Sequence, residues 1–209
     1  MIGTAFSLLI GLMALSLPVA AALGIMGYVL SQKYAFFPLT GALGELAWNT
    51  SNDFILIAAP MFIMMGELMH RSGMSERLFT ALAPWFAKVP GRLIHTNIAA
   101  SAIFAATSGS SVATAATIGT VAIPNMAKGG YNPPLFLGSI AAGGTLGILI
   151  PPSINMIIYA VLTDTSVAQL YAAGFIPGFM LAGLFSLIVF AVAIWRPGMA
   201  GPAVETAGL

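Results

Sequence analysis

Thr107-Ser108-Gly109-Ser110-Ser111 lies near the centre of a stretch, 93–127, that runs for 35 residues without Asp, Glu, Lys or Arg. A second uncharged stretch of 35 residues, 129–163, is interrupted by Gly143-Gly144-Thr145-Leu146-Gly147-Ile148-Leu149-Ile150-Pro151-Pro152-Ser153. A membrane-spanning helix needs about 20 apolar residues, with a range of roughly 17–25. Each stretch is therefore too long for one simple crossing and short for two. Flanked by Asn97–Ala106 and Val112–Met126, the first predicts two half-length helices meeting at a polar tip. That is a re-entrant hairpin over 92–128, with the basic ends Arg92 and Lys128 on one side of the membrane. In the second stretch Pro152 lacks an N–H, and residues before a proline avoid the helical region. A broken helix over 133–164 is predicted, one half before Gly144 and the other after Pro152.

The whole chain supports a membrane setting. Of its 209 residues 59% are hydrophobic and 6% charged, and the mean hydropathy is +0.98. Soluble domains carry roughly a quarter charged residues, so a water-soluble globule is excluded. Barrel strands alternate apolar and polar positions, whereas the apolar runs here are continuous, so the fold class is all-α and polytopic. A net charge of +1 gives no basis for a nucleic-acid partner, and the absence of cysteine excludes disulfides and thiolate ligands.

The apolar stretch from Ala5 to Leu17 imitates a secretory signal, but no basic residue precedes it and apolar character continues to Leu30. It reads as retained membrane helix. Pro18 leaves open one kinked span or two short tilted helices. From Met74 to Val89, Leu78, Leu82, Trp85 and Phe86 share a helical face while Glu76, Arg77 and Lys88 lie off it. This predicts an interfacial helix with Trp85 at headgroup level, weakened by Pro84. With a re-entrant hairpin, Arg71, Arg77, Lys88, Arg92, Lys128 and Arg196 all fall on the cytoplasmic side and only Lys33 outside, as the positive-inside rule requires. The expected organisation is 1–91 as scaffold and interfacial helices, 92–164 as the transport region, 165–197 as a final transmembrane helix and 198–209 as a tail.

Irregular backbone at membrane depth is tolerated only where it is buried in protein or lines a polar cavity, so the two breaks predict a site. Unwound carbonyls suit a small cation, and half-helix N-termini suit an anionic group. Ser108, Ser110 and Ser111 offer hydroxyl and backbone oxygens at the tip. Thr145 and the carbonyls of Gly143, Gly144, Ile148 and Ile150 offer them at the break. An uncharged all-oxygen shell suits an alkali cation better than a transition metal. Ser153 and Asn155 are placed to donate to a carboxylate. The competing reading, that small residues merely permit close helix packing through Gly143-x-x-x-Gly147 and Gly174-x-x-x-Gly178, is the weaker one for two polar breaks central to their segments.

Glu67-x-x-His70 has the spacing of carboxylate-bridged metal bundles but occurs once, beside Arg71, and reads as an interfacial ion pair. His95, at the hairpin mouth, is expected to be solvated or hydrogen-bonded. Glu45 and Asp53 fall in a polar connection, and Asn49-Thr50-Ser51 is a short glycosylation pattern of little weight. No acid, base or metal set lies deep in any span, which argues against an enzyme.

Pro60-Met61-Phe62-Ile63-Met64-Met65-Gly66-Glu67-Leu68-Met69, Arg71-Ser72-Gly73, Thr107-Ser108-Gly109-Ser110-Ser111-Val112-Ala113, Gly129-Gly130-Tyr131 and Ile150-Pro151-Pro152-Ser153-Ile154 resemble the DctM-like large membrane subunit of TRAP (tripartite ATP-independent periplasmic) transporters. The resemblance runs from Pro18 to Pro177-Gly178 in the family's order. It implies one repeat of an inverted-repeat, elevator-type transporter in the bacterial inner membrane, using Na⁺ as coupling ion to import organic acids such as C4-dicarboxylates or sialic acid. It also implies a small membrane subunit, a periplasmic substrate-binding protein and a second half of the large subunit as partners. Carried onto this chain, the sodium site comprises Ser108, Gly109, Ser110, Ser111, Gly143, Gly144, Thr145, Ile148 and Pro151, and the substrate cavity Ser110, Ser111, Ser153 and Asn155. A channel-like pore subunit and a structural subunit of a membrane enzyme complex are the alternatives.

Overall fold

A computed structural model describes residues 1–36 and 39–201; the end of the tail, 202–209, lies outside the described residues. Among the described residues there are helices and no strands. Two compact units divide the chain, Met1–Asp53 and Phe54–Leu209.

In the first unit, α1 (Ile2–Ala14) and α2 (Val19–Tyr34) are separate helices. Ser16, at φ +58°, turns the chain, and Pro18 caps α2, where its missing N–H costs nothing. The two pack antiparallel, with Thr4 Oγ1 donating to Tyr34 Oη at 3.1 Å. This decides the choice left open at Pro18 in favour of two helices. α3 (Leu43–Ser51) carries Glu45 in its first turn and Asn49-Thr50-Ser51 in its last. The polar connection is therefore partly helical.

The second unit opens with a 3-10 turn, Phe54–Ile57, leading into α4 (Ala58–Arg71). Together they form one of two segments among the described residues that are long and apolar enough to cross a membrane; the other is Val167–Trp195. Gly73, at φ +72°, starts α5 (Met74–Phe86). α5 buries Ser75 and Phe79 and half-buries Leu82 and Phe86, while Trp85 is 81% exposed.

The predicted hairpin is α6 (Leu93–Ser108) and α7 (Ser111–Lys128), joined only by Gly109 and Ser110. The broken helix is α8 (Pro133–Thr145), a 3-10 turn over Leu146–Ile148, an irregular stretch to Ser153 and α9 (Ile154–Thr163). α10 (Val167–Trp195) closes the unit. Asn132 caps α8, its side chain accepting from Leu135 N–H, with Pro133 at the favoured first position.

α6 is the centre of this unit, packed by α4, α5, α7, α8 and α10. It buries residues all round its circumference, including Ile94, Ile98, Ala100, Phe104 and Ala105. In lipid the tails are as apolar as leucine, so helices associate through close packing and polar contacts. The sequence supplies this with small residues. Facing α6, Gly143 leaves no room for a Cβ, which would stand 2.5 Å from Ser101 Oγ. Asn97 Nδ2 donates to Ser139 Oγ (2.9 Å) across the same interface.

The two-residue connection depends on Gly109, whose φ of +61° strains any other residue. An added Cβ there would also approach the Pro152 carbonyl oxygen to 3.0 Å. Gly109→Ala is expected to cost about 1–2 kcal/mol from the left-handed conformation alone, read as a lower melting temperature of the purified chain.

Candidate functional site

The hairpin tip is tied by its own hydroxyls. Ser110, extended at φ −136°, caps α7, its Oγ accepting from Ala113 N–H at 3.4 Å. The Ser110 carbonyl accepts from Thr114 N–H (3.0 Å) and Thr114 Oγ1 (2.8 Å). Thr114 Oγ1 also lies 2.8 Å from the buried Ser108 Oγ. One oxygen stands apart: Ser111 Oγ is buried and has no hydrogen-bond partner among the described residues.

The break is held by a different set. Leu149 and Ile150 N–H both donate to the Leu146 carbonyl. Ser153, fully buried, donates from Oγ to the Ile148 carbonyl at 2.8 Å, bridging the irregular stretch.

Tip and break meet through backbone. Ile154 N–H, at the start of α9, donates to the Gly109 carbonyl (3.5 Å). A Cβ on Gly147 would stand 2.6 Å from the Ser110 carbonyl oxygen, and one on Gly144 3.3 Å from that of Ser111. The structure thus brings Gly109, Ser110 and Ser111 against Gly144, Gly147 and Pro152, while Ser108 packs on Gly66 of α4. Thr145 is exposed, and its Oγ1 donates to Ala142 in its own helix at 2.6 Å.

Beside this junction is a cavity of about 430 Å³. Ser108 and Ser110 line it together with Gly66, Glu67, His70 and Thr117. Ser111, Ser153 and Asn155 do not; Asn155 is exposed at the start of α9. Glu67 is paired with Arg71 at 2.6 Å, the ion pair read from the sequence. His70 Nδ1 lies 3.1 Å from Thr117 Oγ1. His95 is buried rather than solvated, stacked on Phe86 and bonded to the Pro90 carbonyl at 2.8 Å. Among the described residues no three His, Asp or Glu side chains gather as a metal cluster.

Sequence reading missed α4 as a wall of the site and missed Thr114 and Thr117. Two signals pointed there. Ser110, Thr114 and Thr117 recur at helical spacing on one face of α7. Gly66 and His70 stand one turn apart on α4, and a Cβ on Gly66 would meet Ser108 Cα at 3.1 Å.

Helices interrupted at two polar points and meeting through main-chain oxygens are an arrangement that discontinuous membrane helices adopt where they are buried in protein or line a cavity. The model of the family "Tripartite ATP-independent periplasmic transporter, DctM component" matches residues 6–205, and the chain belongs to that family of TRAP transporter large permeases. It is 39% identical over 146 residues to the C4-dicarboxylate TRAP transporter large permease protein DctM of Pseudomonas aeruginosa, covering 70% of this chain and 34% of that one. It is 40% identical over 130 residues to the sialic acid TRAP transporter permease protein SiaT of Haemophilus influenzae, covering 62% and 21%. With the ectoine TRAP transporter large permease protein TeaC of Halomonas elongata it shares 32% over 194 residues, covering 90% and 44%. The chain therefore spans less than half the length of each of these curated relatives. That family is one of membrane transporter permeases, not of enzymes.

Proposed function

We propose that this chain provides one half of the transport unit of a sodium-coupled permease that imports small organic acids across the bacterial inner membrane. Na⁺, as a co-transported ion, binds where the hairpin tip meets the helix break. The observation that carries this reading is the unpartnered, buried Ser111 Oγ at a tip whose Ser110 and Ser111 carbonyls face Gly147 and Gly144 of the break. Oxygen donors without charge fit an alkali cation that must bind and then leave. α6, at 16 residues, is about 24 Å long, short of a hydrocarbon core of about 30 Å. This supports a re-entrant hairpin, and with it an elevator motion of the hairpin and broken helix. The cavity beside Ser108 and Ser110 is the place for the substrate carboxylate. A periplasmic binding protein delivers the substrate, a small membrane subunit supports the permease, and a second half completes the cavity.

The test is uptake by proteoliposomes containing the assembled transporter, with and without a Na⁺ gradient. Ser111→Ala is expected to raise the Na⁺ concentration for half-maximal uptake about tenfold, equivalent to roughly 1.4 kcal/mol. Its melting temperature should match wild type, because the hydroxyl holds no partner in the fold. Equal sodium activation of both proteins, or uptake indifferent to Na⁺, overturns the site.

A further inference from the structure

Away from the tip, at the other end of the hairpin, Arg92 occupies a conformation that suits glycine. Its φ is +39° and ψ −111°, immediately after Gly91 at φ +105°. A side chain kept in such a region costs of order 1–3 kcal/mol. Arg92 Nε is buried, without a hydrogen-bond partner among the described residues, and no carboxylate there forms an ion pair with this arginine.

The side chain borders a pocket of about 590 Å³ that Thr80, Ala83 and Pro84 of α5, Ala87 just after it, and Tyr131 also line. Tyr131 Oη accepts from Leu93 N–H at 3.3 Å, leaving its own proton to donate. Thr80 Oγ1 already donates to the Glu76 carbonyl. The backbone N–H groups of Ile94, His95 and Thr96 are also bonded, to Gly91 and Arg92. The start of α6 therefore has no free N–H to offer, and the available donors are a guanidinium and a phenol. Those two recognise a phosphate, which guanidinium binds through paired N–H groups.

We infer that the Arg92 pocket holds the phosphate headgroup of an anionic phospholipid. The choice of lipid over a free anion rests on the walls and on depth. Ala83, Pro84 and Ala87 are apolar, and the same helix carries Trp85, 81% exposed, a residue that settles at headgroup level. Basic pockets between helices at this level hold anionic headgroups, and Lys88 follows the pocket wall directly in sequence.

The test measures melting of the full chain in neutral detergent with phosphatidylglycerol, phosphatidylcholine or inorganic phosphate added. Wild type is expected to gain about 5 °C with phosphatidylglycerol at saturation and nothing with the other two. Arg92→Gly relieves the backbone and should melt no lower than wild type without lipid, yet lose the gain. Arg92→Gln, which keeps a polar side chain at this backbone position without the charge, should also lose it. A gain that survives in both variants, that phosphatidylcholine or phosphate reproduces, or that is absent in wild type overturns the assignment.

Discussion

Gly147→Val is expected to abolish sodium-driven uptake and to lower the melting temperature by about 2–12 °C. The first added carbon would stand 2.6 Å from the Ser110 carbonyl oxygen, 2.7 Å from its carbon and 2.8 Å from Thr114 Oγ1. Two of those atoms are backbone and cannot rotate away. Relief requires the tip of the hairpin to withdraw from the break, which separates the oxygens of the proposed ion site. Gly138→Val is the control, since no atom lies within 4 Å of a Cβ at that position on α8. Comparable uptake by the two variants would remove the tip–break contact from the mechanism.

Gly143→Ala should be almost as damaging to stability, by about 1–3 kcal/mol, and it allows a sharper measurement. The clash is with a single side chain, Ser101, whose Oγ and Cβ would lie 2.5 and 2.7 Å from the new carbon. Ser101 Oγ has no hydrogen-bond partner among the described residues, so removing it breaks no polar contact. Ser101→Gly alone costs about 0.5–1 kcal/mol for a glycine inside a helix. In the double variant the clash is gone. The loss should fall below the sum of the single losses by more than 1 kcal/mol, well outside the roughly 0.3–0.5 kcal/mol scatter of independent sites. Additive losses from denaturation of the purified proteins would show that α6 and α8 do not meet at this pair.

The hairpin and the broken helix were legible because charge and backbone chemistry both marked them. Gly109-Ser110 combines a left-handed glycine with a capping serine, and 143–153 concentrates glycines before two prolines. Proline alone would have misled, since Pro124 and Pro177 lie inside the continuous helices α7 and α10. What distinguishes 151–152 is the glycine-rich segment ahead of it, which has few side chains to hold a helix together. The N-terminal segment was less legible. Thirty-two uncharged residues serve one long span or two short ones, and the turn at Ser16 uses no glycine. Least visible was the wall that α4 contributes. Gly66, His70 and Thr117 reach one cavity only through packing between helices far apart in sequence, and composition carries no record of that.

The meeting of tip and break through main-chain oxygens has an evolutionary corollary. Amino-acid identity can drift around such a junction and leave its backbone oxygens in place, because each residue type carries the same carbonyl. What the junction has no room for is a methyl group at positions such as Gly144 and Gly147. Relatives named for a dicarboxylate, a sialic acid and ectoine, all between 32% and 40% identical to this chain, fit that pattern. On the proposed function, altering side chains in the cavity would change the solute carried while the backbone junction stays intact.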